Sequence, residues 1–176
     1  VFKIYIFKSK NQEFSKNAID KLQYSWYNVP NDTVRSDFVV LSKTEWKRIL
    51  ASPLFRGVDS RKAVRILEEH DCLASCFSDG EILMSPEEQQ KRIGILLKGT
   101  ALVTTPDPSK ETLLRFLEPE EPFGIANLFL DAPFVSVIRA HGSCKAFFVT
   151  KEAVCALLEQ DRGFLYGYLS FLSGRI

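Results

Sequence analysis

Between Cys72 and Phe148 the chain runs as six short stretches of branched and aromatic residues, interrupted by Gly80, Gly99, Gly124 and Gly142. The stretches are Glu81 to Met84, Arg92 to Leu97, Thr100 to Thr104, Leu113 to Leu117, Val135 to Ala140 and Cys144 to Val149. Six short strands at this spacing favour a barrel or jelly roll over a βαβ sheet. Thr105 to Lys110 carries Pro106 and Pro108, which cannot sit inside a central ladder, so an exposed hairpin loop is expected there.

Helical periodicity flanks this region on both sides. Ser42 or Thr44 can cap a helix with Trp46, Ile49 and Leu50 on one side, stopped by Pro53. Leu54 to Val58 reads as an apolar turn, and Asp59 or Ser60 opens a second helix whose apolar face is Val64, Ile66 and Leu67, ending near His70. Beyond the strands, Thr150 can cap Lys151 to Gln160, with Val154, Leu157 and Leu158 as its face and Glu152 favourably placed in the first turn.

A last helix begins near Gly163 and is apolar on most of its circumference, so it needs partners on two sides. Leu165, Leu169, Leu172 and Ile176 share one stripe suited to a helix–helix seam between two copies of the chain. Gly163, Gly167 and Gly174 each weaken a helix by about 1 kcal/mol relative to alanine, and fraying is expected from them.

At 176 residues and 45% hydrophobic, the chain can bury one sizeable domain with room for an appendage. Residues 1–41 differ in texture: Phe2, Ile4 and Ile6 alternate with Lys3 and Tyr5 as in a short strand, and a polar stretch follows. They read equally as a small extension packed on the domain or as upstream sequence attached by the choice of start codon. With 23 basic against 22 acidic residues, no overall field for nucleic acid exists. No run of about 20 apolar residues appears, and four scattered cysteines suit a reducing compartment, so a cytoplasmic protein without membrane contact is expected.

The order of helix, small barrel, helix and apolar helix resembles the effector domain of Crp/Fnr-type bacterial transcription regulators over residues 45–176. Its carriers are Pro53 to Val58, Phe77 to Ile82, Ile95 to Gly99, Leu117 to Gly124 and Leu169 to Ile176. The central one is Phe123-Gly124-Ile125-Ala126-Asn127-Leu128-Phe129 with Ser136 and Arg139-Ala140 downstream, which resembles a cyclic-nucleotide cassette. The resemblance implies a mainly β fold with flanking helices, a double-stranded β-helix of the cyclic-nucleotide-binding-domain type, over residues 42–161. It also implies a dimerisation helix starting at 162–176, a homodimer, a small-molecule effector, and promoter DNA read only by a helix-turn-helix domain that these residues lack. The chain then reads as a piece of a longer regulator or as a stand-alone module acting through protein partners.

In that family the cassette carries a glutamate for the ribose and an arginine for the cyclic phosphate. Here Ile125 stands at the acid's place, and Val135, or Phe134 if the loop is one residue shorter, stands at the arginine's. A buried phosphate without its cation costs several kcal/mol, which is orders of magnitude in affinity. Arg139 is four residues along a strand from Val135, about 13 Å away. The preceding turn carries Glu120 where the family often has glycine. Candidate effector-binding residues are Gly124, Ile125, Ala126, Asn127, Phe134, Val135 and Ser136, either lining a site for another effector or packing an empty cassette.

Other chemistry finds little support. His70, Cys72 and Cys76 are of metal-ligand type but lack a clear fourth partner, so no metal and no cofactor is expected. The two histidines, His70 and His141, form no cupin-like ligand set, and no nucleophilic triad has recognisable spacing, so no enzyme is expected. Gly94 to Thr100 lacks the lysine of a phosphate loop. Lys91-Arg92 and Arg61-Lys62 read as solvated charges.

Overall fold

The computed structural model describes residues 41–88 and 90–174. The strand-like segment at Phe2 to Ile6 and the end of the predicted stripe at Ile176 lie outside them. Helix α1, Lys43–Ala51, starts from a capping box in which the Ser42 hydroxyl accepts from the Glu45 amide and the Glu45 carboxylate accepts from the Ser42 amide. A 3-10 turn, Pro53–Phe55, follows, and α2, Ser60–Glu69, opens on Asp59, whose Oδ1 accepts from the Arg61 and Lys62 amides at 2.9 Å each.

Six strands come next: β1 Leu73–Phe77, β2 Ile82–Met84, β3 Arg92–Thr104, β4 Leu113–Leu117, β5 Pro122–Phe123 and β6 Val137–Thr150. All their pairings are antiparallel, with β3 and β6 central, β1 and β2 on β6, and β4 and β5 on β3. Together they form a jelly roll with flanking helices.

The long strands join what the sequence suggested were separate runs. Arg92 to Leu97 and Thr100 to Thr104 are two halves of β3, and the register against β6 shifts on both sides of Lys98. Gly99 (φ +81°) therefore bends one strand instead of reversing the chain, and a β-carbon there would fall 2.5 Å from the Ser143 carbonyl oxygen. Gly142 (φ +73°) sits in the opposing stretch of β6, so both central strands turn the same corner.

One face of the bent sheet encloses Leu83, Met84, Leu96, Leu117, Phe123, Ile138, Phe148 and smaller residues as the barrel core. On the other face of the first half, Ile95, Leu97 and Phe147 are buried beneath helices. Trp46 of α1 meets Phe147 edge to face at 5.8 Å, and Arg48 donates to the Leu97 carbonyl at 2.5 Å. Burial on both faces explains the unbroken apolar run at Ile93 to Leu97.

After β6, α3 spans Lys151–Gln160 from a Thr150 cap, and α4 spans Arg162–Ser173 from an Asp161 cap. Asp161 is buried and does two jobs: its Oδ1 accepts from the Phe164 amide at 2.9 Å, and its Oδ2 accepts from the Asp59 amide at 3.2 Å. The start of α4 is thereby tied to the start of α2.

Gly163 and Gly167 face the 3-10 turn. Built β-carbons would fall 1.9 Å from the Gly57 carbonyl oxygen and 2.9 Å from that of Arg56, so these glycines permit a backbone-to-backbone approach. Fraying expected from the two is offset by this packing, and the helix continues to Ser173 with Gly174 as its C-cap.

Candidate functional site

The cassette leaves β5 at Gly124, whose φ of +78° suits glycine, and the Met84 thioether lies directly against it. Ile125 is buried at 5% exposure, and Leu128 closes a turn by donating to its carbonyl at 3.2 Å. Asn127 is buried and spends its amide on the Pro133 carbonyl at 2.7 Å, which pins the two ends of the loop. Phe134 packs on the barrel core, Ser136 is buried, and Ala126 is exposed. Val135, at the place of a phosphate-binding arginine, is 66% exposed.

Gly124, Asn127 and Phe134 of the candidate residues line one cleft, where they face Met84 at the end of β2, Glu88 and Lys91 of the β2–β3 connection, and Arg92 at the start of β3. The cleft is nearly filled, with about 20 Å3 of free space. Beneath it the Phe123 ring lies on Gly94, where a β-carbon would fall 1.9 Å from Cζ, and meets Phe148 edge to face at 6.1 Å.

The charges at this cleft come from outside the cassette. The Arg92 guanidinium carbon lies 3.8 Å from the centroid of the Phe148 ring, and its Nε is 2.5 Å from Glu88 Oε1. The Lys91 ammonium donates to the Ala132 carbonyl in the cassette loop. Lys91 and Arg92 were expected to be solvated charges, yet both hold partners on this side of the barrel. Local sequence carries no signal for that, because the approach is made across the barrel. Burial raises the Glu88 carboxyl above its ordinary value, and nearby Arg92 only partly offsets this.

Arg139 does not substitute for a cassette arginine. Its neighbours Ile138 and Ala140 point into the core, and Arg139 points outward, where its Nε lies 3.6 Å from Glu111 Oε1.

The tip of the cassette reaches α4. Phe129 meets Tyr168 edge to face at 6.3 Å, and the Lys151 ammonium of α3 lies 5.6 Å from the Phe129 ring centroid. Burial pushes the Tyr168 phenol up to about 12, so it stays protonated at neutral pH. On α4 the buried residues are Phe164, Gly167 and Tyr168, while Leu165 and Leu172 are half-buried and Leu169 is 49% exposed.

Cys72 Sγ lies 3.7 Å from the His70 carbonyl oxygen and 4.0 Å from Thr150 Oγ1, and burial pushes its thiol up to about 11. Among the described residues no three of His, Cys, Asp and Glu are grouped to hold a metal ion, and no helix is long and apolar enough to cross a membrane.

The sequence model of the family described as cyclic nucleotide-binding domain matches residues 75–161. No curated protein sequence matches at a significant level. The sensor domain of the transcriptional regulator DNR from Pseudomonas aeruginosa is similar with TM-score 0.64 and 17% identity, over 74% of this chain and 92% of that one. The Thermus thermophilus Catabolite Activator Protein is similar with TM-score 0.61 and 18% identity, over 70% of this chain and 58% of that one. The regulatory domain of Toxoplasma gondii PKA, solved with cAMP, gives TM-score 0.56 and 15% identity, over 64% and 42%. The chain thus spans most of an isolated sensor domain and less than two thirds of the two longer proteins. At these identities the likeness is one of fold.

Proposed function

We propose that this chain, a member of the cyclic nucleotide-binding domain family through residues 75–161, is the ligand-sensing domain of a Crp/Fnr-like bacterial transcription regulator that does not respond to cyclic AMP. The edge-to-face contact between Phe129 and Tyr168 carries the sensing part of this reading, because it joins the cassette to α4 directly. A ligand that favours one position of the cassette biases the helix through that contact, to the extent of its differential affinity for the two positions. Leu165, Leu169 and Leu172 form the seam through which α4 pairs with a second copy. DNA contact falls to a helix-turn-helix domain outside these 176 residues, in keeping with the near-neutral charge, and the protein is cytoplasmic.

The exclusion of cyclic AMP rests on the side chains. Ile125 is turned into the core, and Val135 stands in solvent, so the cassette offers neither an acceptor for a ribose hydroxyl nor a cation for a phosphate. Calorimetric titration with cyclic AMP and cyclic GMP is expected to show no saturable binding in the micromolar range, and micromolar binding of either would sink the exclusion. Sedimentation equilibrium tests the seam: Leu169→Glu should weaken self-association while leaving the folded content unchanged by circular dichroism.

A further inference from the structure

We propose that the cleft between the cassette and the β2–β3 connection is a carboxylate site, with Arg92 as its anchoring cation and the Glu88 side chain as a resident carboxylate that a small organic acid displaces. This rests on the reading of the chain as a ligand-sensing domain, and it names the place and the chemistry of the effector. The cassette side of the cleft is uncharged, and the charges facing it are Lys91, Arg92 and Glu88. An anionic ligand therefore finds its counter-charge on the opposite wall from the one a cyclic nucleotide would use.

The state of Arg92 is the main support. Its guanidinium carbon sits 3.8 Å from the centroid of the Phe148 ring, a cation–π contact that places the charged group at the wall of the cleft. Glu88 Oε1 lies 2.5 Å from Nε, yet Nε is buried without a hydrogen bond of acceptable angle. Charge is neutralised there while the directional bond is not made. A carboxylate free of the backbone can align with the guanidinium edge and take two parallel hydrogen bonds, which a side chain anchored four residues away does not achieve here.

Shape and size point the same way. The group now at Arg92 is a planar carboxylate, so a ligand carboxylate replaces like with like. The free space of about 20 Å3 holds roughly one water, so entry requires the Glu88 side chain to leave. Lys91, bonded to the Ala132 carbonyl, links the same wall to the cassette loop, so a change at Arg92 has a route to Phe129 and α4.

The test is chemical complementation with acetate, which carries the atoms removed by Glu88→Ala. At constant ionic strength, set with chloride, acetate should stabilise Glu88→Ala saturably in thermal unfolding, with binding at least about tenfold tighter than to the parent chain. The response should vanish in Glu88→Ala combined with Arg92→Met, where the methionine keeps an apolar stem over Phe148. If that double variant does not fold, Arg92→Lys in its place should weaken acetate binding, and the side-chain amide resonance of Asn127 reports the same binding locally. No acetate effect on Glu88→Ala, or an equal effect with and without Arg92, overturns the proposal while leaving the sensing reading open to other ligands. Acetate binding that leaves self-association unchanged keeps the carboxylate site and counts against the sensing reading.

Discussion

Gly163 of α4 and Gly57, two residues beyond the 3-10 turn, approach so closely that a β-carbon on Gly163 would fall 1.9 Å from the Gly57 carbonyl oxygen. No side chain fits between them, and the neighbour in the way is backbone. The substitution Gly163→Ala should therefore destabilise the protein by about 1–3 kcal/mol, in spite of the roughly 1 kcal/mol that alanine adds to helix propensity. Gly167→Ala meets the Arg56 carbonyl oxygen at 2.9 Å and should have a smaller effect of the same sign. Gly174, with φ −75° and nothing closer than 3.5 Å, should be neutral or gain slightly as alanine. Urea denaturation of the three variants gives the ranking, and a stabilised Gly163→Ala would show that the turn and helix are not held together as described.

Glu120 is a second place where backbone conformation sets the expectation. Glu118, Pro119, Glu120 and Glu121 form a turn closed by the Glu121 amide donating to the Glu118 carbonyl at 3.1 Å. Proline second and a positive φ third, +72° at Glu120, mark a type II turn, in which glycine is the favoured third residue. Glu120→Gly should raise stability by up to about 1 kcal/mol. A loss of stability in chemical denaturation would mean that the Glu120 side chain contributes more than its conformation costs.

Phe129 is half exposed, so a truncation there tests coupling more than core packing. Phe129→Ala removes the edge-to-face contact with Tyr168 and the approach of Lys151, a loss of about 0.5–1.5 kcal/mol. Phe129→Leu keeps apolar area and should recover part of that. Hydrogen exchange should show faster amide exchange on α4 in Phe129→Ala and unchanged rates in β3; equal protection throughout would argue against a mechanical link between cassette and helix.

The helix starts were legible because a cap is a local signal: Ser42, Asp59, Thr150 and the apolar spacing behind each are written within a few residues. Strand identity was legible and strand continuity was not. A bulge at Gly99 and a glycine at Gly142 look like chain reversals when read locally, although the ladder continues through both. Strand β1, Leu73–Phe77, carries Ala, Ser and Cys in its middle, and β5 is two residues long, so neither stands out from its surroundings. At the site, the loss of charge at positions 125 and 135 was readable, because it concerns residues within one loop. The arrival of Arg92 and Glu88 was not, because the barrel closure that brings these two residues beside Gly124 has no local signature.

Two half-buried carboxylates should leave opposite marks on the pH dependence of stability. Burial raises the Glu45 carboxyl, but hydrogen bonds from Lys145 and from Ser42 more than reverse this, and the net direction is below the ordinary 4.5. The folded state then binds the proton less tightly than the unfolded one, so the stability from Glu45 is fully present above about 4.5 and is lost as pH falls through the depressed value. At Glu88 burial outweighs the help from Arg92, and the direction is above 4.5. There the folded state binds the proton more tightly, so the favourable contribution is present below 4.5 and disappears as pH rises through the raised value. Urea midpoints measured from acid to neutral pH should separate them. The deficit of Glu45→Gln relative to the parent chain should shrink as pH falls below 4.5, whereas Glu88→Gln should gain on the parent as pH rises above it. A Glu88→Gln variant that instead loses ground with rising pH would mean that the ion pair with Arg92 outweighs burial, and that Glu88 is held in the cleft more firmly than its geometry implies.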